Sequence, residues 1–168
     1  ASTLTITVTG TNDAPVAQAA TAAATEDAAV LAGQLVATDI DQGAVLTFAT
    51  ANAPAGFTLN PNGSYSFNPG NAAYQSLAAG QTLPLTINYT ATDAQGASSA
   101  STLTITVTGT NDAPVAVARS GAGAEDSVVN GQLAASDVDQ GAVLTYALLD
   151  TAPAGFTLDA ATGAYSLD

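Results

Sequence analysis

The chain repeats itself, and the repeat decides most of what it can fold into. Residues 1–17, ASTLTITVTGTNDAPVA, recur unchanged at 100–116, an offset of 99. GQLVATDIDQGAVLTFA (33–49) returns at 131–147 as GQLAASDVDQGAVLTYA, identical at 13 of 17 positions, and APAGFTL (53–59) returns at 152–158. The unit is thus about a hundred residues, the usual size of one domain. The spacing divides the 168 residues into 1–11, the last strand and linker of a preceding repeat, 12–110, one whole repeat, and 111–168, a partial second repeat lacking its C-terminal strands. The chain reads as a segment of a longer tandem array.

Within a unit the apolar period is two. In LPLTINYTATD (83–93), Leu83, Leu85, Ile87, Tyr89 and Ala91 alternate with polar Thr and Asn, and in 101–109 Leu103, Ile105 and Val107 alternate with Thr104, Thr106 and Thr108. Such alternation describes strands buried on one face and wet on the other. FTLNPNGSYSF (57–67) reads as a hairpin turning at Asn62-Gly63. One stretch, AAYQSLAAG (72–80), looks helical and is expected to cross between sheets in one or two turns. About seven short strands per unit predict an all-β fold, an antiparallel immunoglobulin-like β-sandwich repeated in tandem.

Fourteen Asp and Glu face a single basic residue, Arg119, with no Lys, His, Cys, Met or Trp, for a net charge of −13. That composition removes thiol chemistry, imidazole bases and Cys- or His-ligated metals. It also excludes a phosphate-tracking nucleic-acid surface, and an anionic membrane would repel the chain. No apolar run is long enough to insert in a membrane. Eleven of the fourteen acids fall in four motifs beside turn residues: NDAP (Asp13, Asp112), the ED pair (Glu26-Asp27, Glu125-Asp126), DxDQG (Asp39, Asp41, Asp137, Asp139) and TDAQG (Asp93). Asp150, Asp159 and Asp168 do not recur as acids and read as solvated turn residues.

Strand direction sorts the motifs by end. A first strand leaving Asn12-Asp13 carries Glu26-Asp27 to the far end, the second returns Asp39 and Asp41 to the near end, and Asp93 lies there too. A junction between units would then gather Glu26, Asp27, Asn111, Asp112, Asp137 and Asp139. Each close carboxylate pair costs about 1 kcal/mol in water and several times that near a protein surface. A hard divalent cation with oxygen ligands removes the conflict, and Ca²⁺ suits flexible loops of carboxylates and carbonyls better than Mg²⁺. Taken singly, a DxD loop is an ordinary turn in which Asp caps backbone amides, and NDAP an Asx-turn before proline. Their joint recurrence at one end, in a chain almost without cations, favours calcium.

The run TLTITVTGTNDAPVA, the ED pair and the DIDQG and TDAQG loops resemble the VCBS-type repeat of giant bacterial RTX adhesins, a cadherin-like, bacterial immunoglobulin-like module. The resemblance implies a non-enzymatic extender in many tandem copies, exported to the cell surface, holding a distal adhesive domain away from the cell for adhesion or biofilm formation. Its partners are neighbouring repeats of the same chain, with self-association open, and calcium at the junctions stiffens the array.

Three other readings compete. Paired carboxylates can hydrolyse glycosides, but these acids sit at module ends and the chain is 5% aromatic, without Trp. The Thr104, Thr106 and Thr108 row could offer hydroxyls to ice or sugar, but alternating Thr is also the solvated face of any strand. The alternative for the whole chain is a self-assembling extracellular filament. In it, residues 1–10 of one copy add by donor-strand exchange to the last unit of the next.

Overall fold

The computed structural model describes residues 1–168. It contains strands and turns only, so no helix is long and apolar enough to cross a membrane. The chain divides into two compact units, one of residues 1–74 and 82–108, the other of 75–81 and 109–168.

The first unit is an immunoglobulin-like sandwich. A four-stranded sheet has the order β2-β9-β8-β5, from β2 (Ala20–Thr25), β9 (Ser98–Thr108), β8 (Thr82–Thr92) and β5 (Thr47–Ala49). A three-stranded sheet has the order β3-β7-β6, from β3 (Leu31–Gln34), β7 (Ser64–Phe67) and β6 (Phe57–Leu59). The short strands β1 (Val16–Ala17) and β4 (Ala37–Thr38) pair with each other beside them. Every pairing is antiparallel except β2 with β9, which runs parallel over six residue pairs, Ala20↔Leu103 to Thr25↔Thr108. The alternation read from the sequence sets the faces: Ile87, Tyr89, Ala91, Leu103, Ile105 and Val107 are buried, while the Thr between them line the outer face. The predicted hairpin forms between β6 and β7, with Gly63 at φ 85° closing the turn.

The first strand changes sheets, from pairing with β4 to pairing with β9, and the backbone between must find other partners. Gln18 donates its N–H to the Val36 carbonyl at 3.0 Å, and the Tyr89 hydroxyl donates to the Gln18 carbonyl. The Ala17 N–H goes to Ser99 Oγ at 3.1 Å. One inward Tyr therefore satisfies the carbonyl that the crossing frees.

The second unit has two sheets, β10 (Val115–Val117) with β12 (Ala134–Ser136), and β11 (Val129–Gln132)-β14 (Ala164–Leu167)-β13 (Phe156–Leu158). They match β1-β4 and β3-β7-β6 in order. Residues 118–124, the counterpart of β2, form no strand.

One expectation needs correction. Residues 72–80 are a series of turns rather than a helix: Asn71 Oδ1 accepts the Ala73 N–H, the Tyr74 N–H returns to the Asn71 carbonyl, and Gly80 stands at φ 78°. In residues 1–10 no strand is formed, and Leu4, Ile6 and Val8 are 76–88% exposed.

Both three-stranded sheets share a device that pattern alone does not reveal. Gly33 opposes Tyr65 and Gly131 opposes Tyr165, and in each pair the ring lies where a glycine Cβ would be. Tyr65 is also stacked on Phe57 at 5.6 Å and Tyr165 on Phe156 at 5.7 Å. Gly33→Ala is expected to displace the Tyr65 ring and cost about 1–3 kcal/mol, as core overpacking does. Urea unfolding followed by circular dichroism measures it. The same substitution at exposed Gly10, where nothing lies within 4 Å, is the control.

Candidate functional site: acid-bearing loops at the unit ends

Three separate segments of the first unit meet at one end, the linker, the DxDQG loop and the TDAQG turn. The DxD loop folds on itself as the Asp41 N–H donates to Asp39 Oδ1 at 2.9 Å. The Asp13 N–H then donates to Asp41 Oδ2 at 2.9 Å, and Asn12 Nδ2 donates to Asp93 Oδ2 at 2.8 Å. Asn12, Asp13, Asp39, Asp41 and Asp93 are thus brought together as the sequence suggests. Asp93 is buried, and its Oδ1 accepts the N–H groups of Gln95 and Ala97 at 3.0 and 2.8 Å. Asp39 Oδ2 is buried with no hydrogen-bond donor.

The second unit repeats the two loop hydrogen bonds where the chain repeats. The Asp139 N–H donates to Asp137 Oδ1 at 2.9 Å and the Asp112 N–H to Asp139 Oδ2 at 3.0 Å. Asp139 is 8% exposed and its Oδ1 is buried with no donor. Beside it an open cleft of about 440 Å³ is lined by Asn111, Asp112, Asp137, Asp139 and Gln140, with Ala78 and Ala79. The 75–81 segment braces this loop: Gln140 donates its N–H to the Ser76 carbonyl at 3.0 Å, and the Gln81 and Gln140 amides lie 3.4 Å apart. Sequence reasoning missed that role, because a small-residue stretch says nothing about which loop it will pack on.

The ED pairs lie elsewhere. Glu26 follows β2 at the other end of the first unit, 1% exposed, with its N–H on the Thr108 carbonyl at 2.8 Å. Asp27 and Asp126 stand at φ 59° and 60°, a left-handed conformation that Asp tolerates in turns better than most residues. Glu125, counterpart of Glu26, is exposed. Glu26 and Asp27 belong to one unit, and Asn111, Asp112, Asp137 and Asp139 to the other. No three acids form a ready-made ligand cage anywhere in the chain.

The electrostatics favour the charged form of Asp93 at the first unit's end. The Asn12 amide foremost, helped by backbone N–H groups of Ala97, Gly96 and Gln95, holds the Asp93 carboxyl below its usual range against the opposing effect of burial. Asp159 is held low by the Thr162 and Ala161 backbone N–H groups, which makes it a turn cap rather than a merely solvated acid. A carboxyl whose folded pKa lies below the unfolded value, about 3.9 for Asp, binds its proton more readily when unfolded. Its contribution is present above that value and lost as pH falls through the folded pKa. Asn12→Ala is therefore expected to lower the melting temperature at pH 7 and to narrow the drop between pH 5 and pH 3. Calorimetric scans at the two pH values test it.

The sequence family described as a bacterial cadherin-like domain matches residues 12–109. No curated protein sequence matches the chain. Among solved structures it is similar to protocadherin gamma B7 extracellular cadherin domains 1–4, at 21% identity and TM-score 0.57, covering 91% of this chain and 40% of that one. It is also similar to mouse cadherin-23 EC22–24, at 19% identity and TM-score 0.53, covering 92% and 53%. Human CDH23 EC21–23 gives 15% identity and TM-score 0.58, covering 92% and 53%. The chain thus spans about half or less of each of these structures, and the likeness is one of fold.

Proposed function

We propose, on the premise that this chain belongs to the bacterial cadherin-like domain family, that it is a non-enzymatic spacer module of a large extracellular adhesin of the VCBS and RTX type. Ca²⁺ bound by the acid-bearing loops stiffens the joints between its repeats. The observation that carries the reading is the DxD loop of each unit: the Asp13 and Asp112 N–H groups donate to Asp41 and Asp139, and one loop oxygen is buried with no donor, Asp39 Oδ2 in the first unit and Asp139 Oδ1 in the second. A carboxylate oxygen withdrawn from water needs a donor or a cation, and Arg119 is the only basic side chain.

The donor set fits a hard cation. It is all oxygen, it comes from turns, and it contains no soft ligand. In the first unit Asp13, Asp39, Asp41 and Asp93 would hold the ion with Asn12, and in the second Asp112, Asp137 and Asp139 with Asn111. Glu26-Asp27 and Glu125-Asp126 would complete the sites where consecutive repeats meet. The chain's own residues do the positioning: the Asp41 and Asp139 N–H groups orient the DxD loops, and the Asn12 amide orients Asp93.

Calorimetric titration of the whole chain tests the proposal. Ca²⁺ is expected to give saturable binding that Mg²⁺ at equal concentration does not reproduce, and Asp39→Asn with Asp139→Asn is expected to weaken it. A flat Ca²⁺ titration to millimolar concentration would reject it.

A further inference from the structure

The hairpin that joins β6 to β7 turns through Asn62-Gly63-Ser64, an Asn-x-Ser triplet whose middle residue is not proline. Triplets of this form are the acceptors of N-linked sugars. The chain holds a second, Asn88-Tyr89-Thr90, within β8. The two have the same chemistry and opposite settings.

We propose that Asn62 is a glycosylation site, whose side-chain amide takes a sugar from a phosphate-activated donor, and that the fold reserves the modification to Asn62 over Asn88. Asn62 is exposed at the hairpin turn, and its Oδ1 accepts both the Ser64 N–H at 3.0 Å and the Ser64 hydroxyl at 2.7 Å. Two donors on the amide oxygen favour the form in which negative charge has gathered there, as it does when Nδ2 gives up a proton. The oxygen is committed to the turn, and Nδ2 is the atom left to react.

The turn is held in this shape. Gln34 donates from Nε2 to the Asn62 carbonyl at 2.8 Å. Gly63 stands at φ 85°, with Gln34 Nε2 and the Leu35 carbonyl oxygen 2.7 and 3.0 Å from where a Cβ would be, so the middle position requires glycine. An Asn-Gly pair is also prone to lose ammonia when the glycine nitrogen attacks the amide carbon. Here the Gly63 N–H is engaged with the Asn60 carbonyl at 2.9 Å, which opposes that route.

Asn88 has the triplet without the access. Its carbonyl accepts the Thr50 hydroxyl at 2.7 Å, and Asn88 and Thr90 pair with Thr102 and Ala100 of β9. Tyr89 between them is 1% exposed, with its hydroxyl on the Gln18 carbonyl. A transferase must draw a triplet away from its neighbours to enclose the amide. At 62–64 that moves a turn, and at 88–90 it opens a central strand.

In the transfer, Nδ2 attacks C1 of the sugar and the C1–O bond breaks. The electron pair of that bond leaves on the phosphate, and an Nδ2 proton passes to a base of the transferase. The donor is a sugar joined at C1 to a nucleotide diphosphate or to a lipid pyrophosphate, and the acceptor chemistry is the same for both. Asn62 belongs to none of the acid-bearing loops, so this inference is independent of the calcium reading.

The test presents the folded chain to two triplet-directed transferases, one using a nucleotide-linked sugar and one a polyprenyl-pyrophosphate-linked sugar. Each is chosen because it modifies synthetic peptides of residues 57–67 and 84–94. Proteolysis and mass spectrometry read the occupancy of each Asn. The expected result is a sugar on Asn62 in at least one arm, with Asn88 occupied at least about a hundredfold less, since opening a core strand costs a large part of the unit's stability. Ser64→Thr is expected to keep the sugar and Ser64→Ala to lose it. An unmodified Asn62 in both arms, or Asn88 occupied as fully as Asn62, would overturn the inference.

Discussion

Ile105→Ala lowers the stability of the first unit by about 2–5 kcal/mol, whereas Ile6→Ala in the same sequence context changes it by less than about 0.5 kcal/mol. Ile105 is fully buried and Ile6 is 76% exposed. The flanking residues are identical over 17 positions, so intrinsic propensity cancels from the comparison. What remains is the transfer of one side chain into the core and the cavity left when it is cut back. Urea unfolding of the two variants beside the parent measures both numbers. Equal effects would mean that the first ten residues are packed in solution.

Calcium removal is expected to have the second large effect. An ion held at a hundred times its Kd contributes about 2.7 kcal/mol per site. A domain of this size melts about 4–8 °C lower for each kcal/mol lost. EGTA should therefore lower the melting temperature by ten degrees or more, with Mg²⁺ restoring little of it. Asp137→Ala with Asp139→Ala should remove the second unit's share and leave the first unit folded. A melting temperature and a small-angle scattering profile both indifferent to EGTA would end the calcium reading.

Much of the fold could be read directly from residues. Thr alternating with Leu103, Ile105 and Val107 defined a strand and its buried face, and Asn62-Gly63 defined a hairpin, because both depend on local period and turn chemistry. The grouping of Asn12, Asp13, Asp39, Asp41 and Asp93 could be anticipated as well, since counting strand reversals puts each motif at an end. The remainder depends on partners that a local pattern does not contain. Residues 72–80 have helix-favouring Ala and Leu, yet the Asn71 turn and the left-handed Gly80 divert them. Residues 118–124, aligned with β2, form no strand, whereas β2 itself lies along β9. The Tyr65 ring over Gly33 and the Tyr89 hydroxyl on Gln18 needed the cross-strand register and the sheet crossing before either could be seen.

The parallel pairing of β2 with β9 has a mechanical consequence. In the first unit the chain enters β2 at one end and leaves β9 at the other. Tension applied between residues 12 and 109 therefore pulls these neighbouring strands in opposite directions along their lengths. Their slanted hydrogen bonds share the load in shear, so the six pairs from Ala20↔Leu103 to Thr25↔Thr108 must yield together rather than unzip one by one. Resistance to such a pull is governed by the unfolding rate and not by the equilibrium stability. A unit pulled by its two ends would draw on this seam.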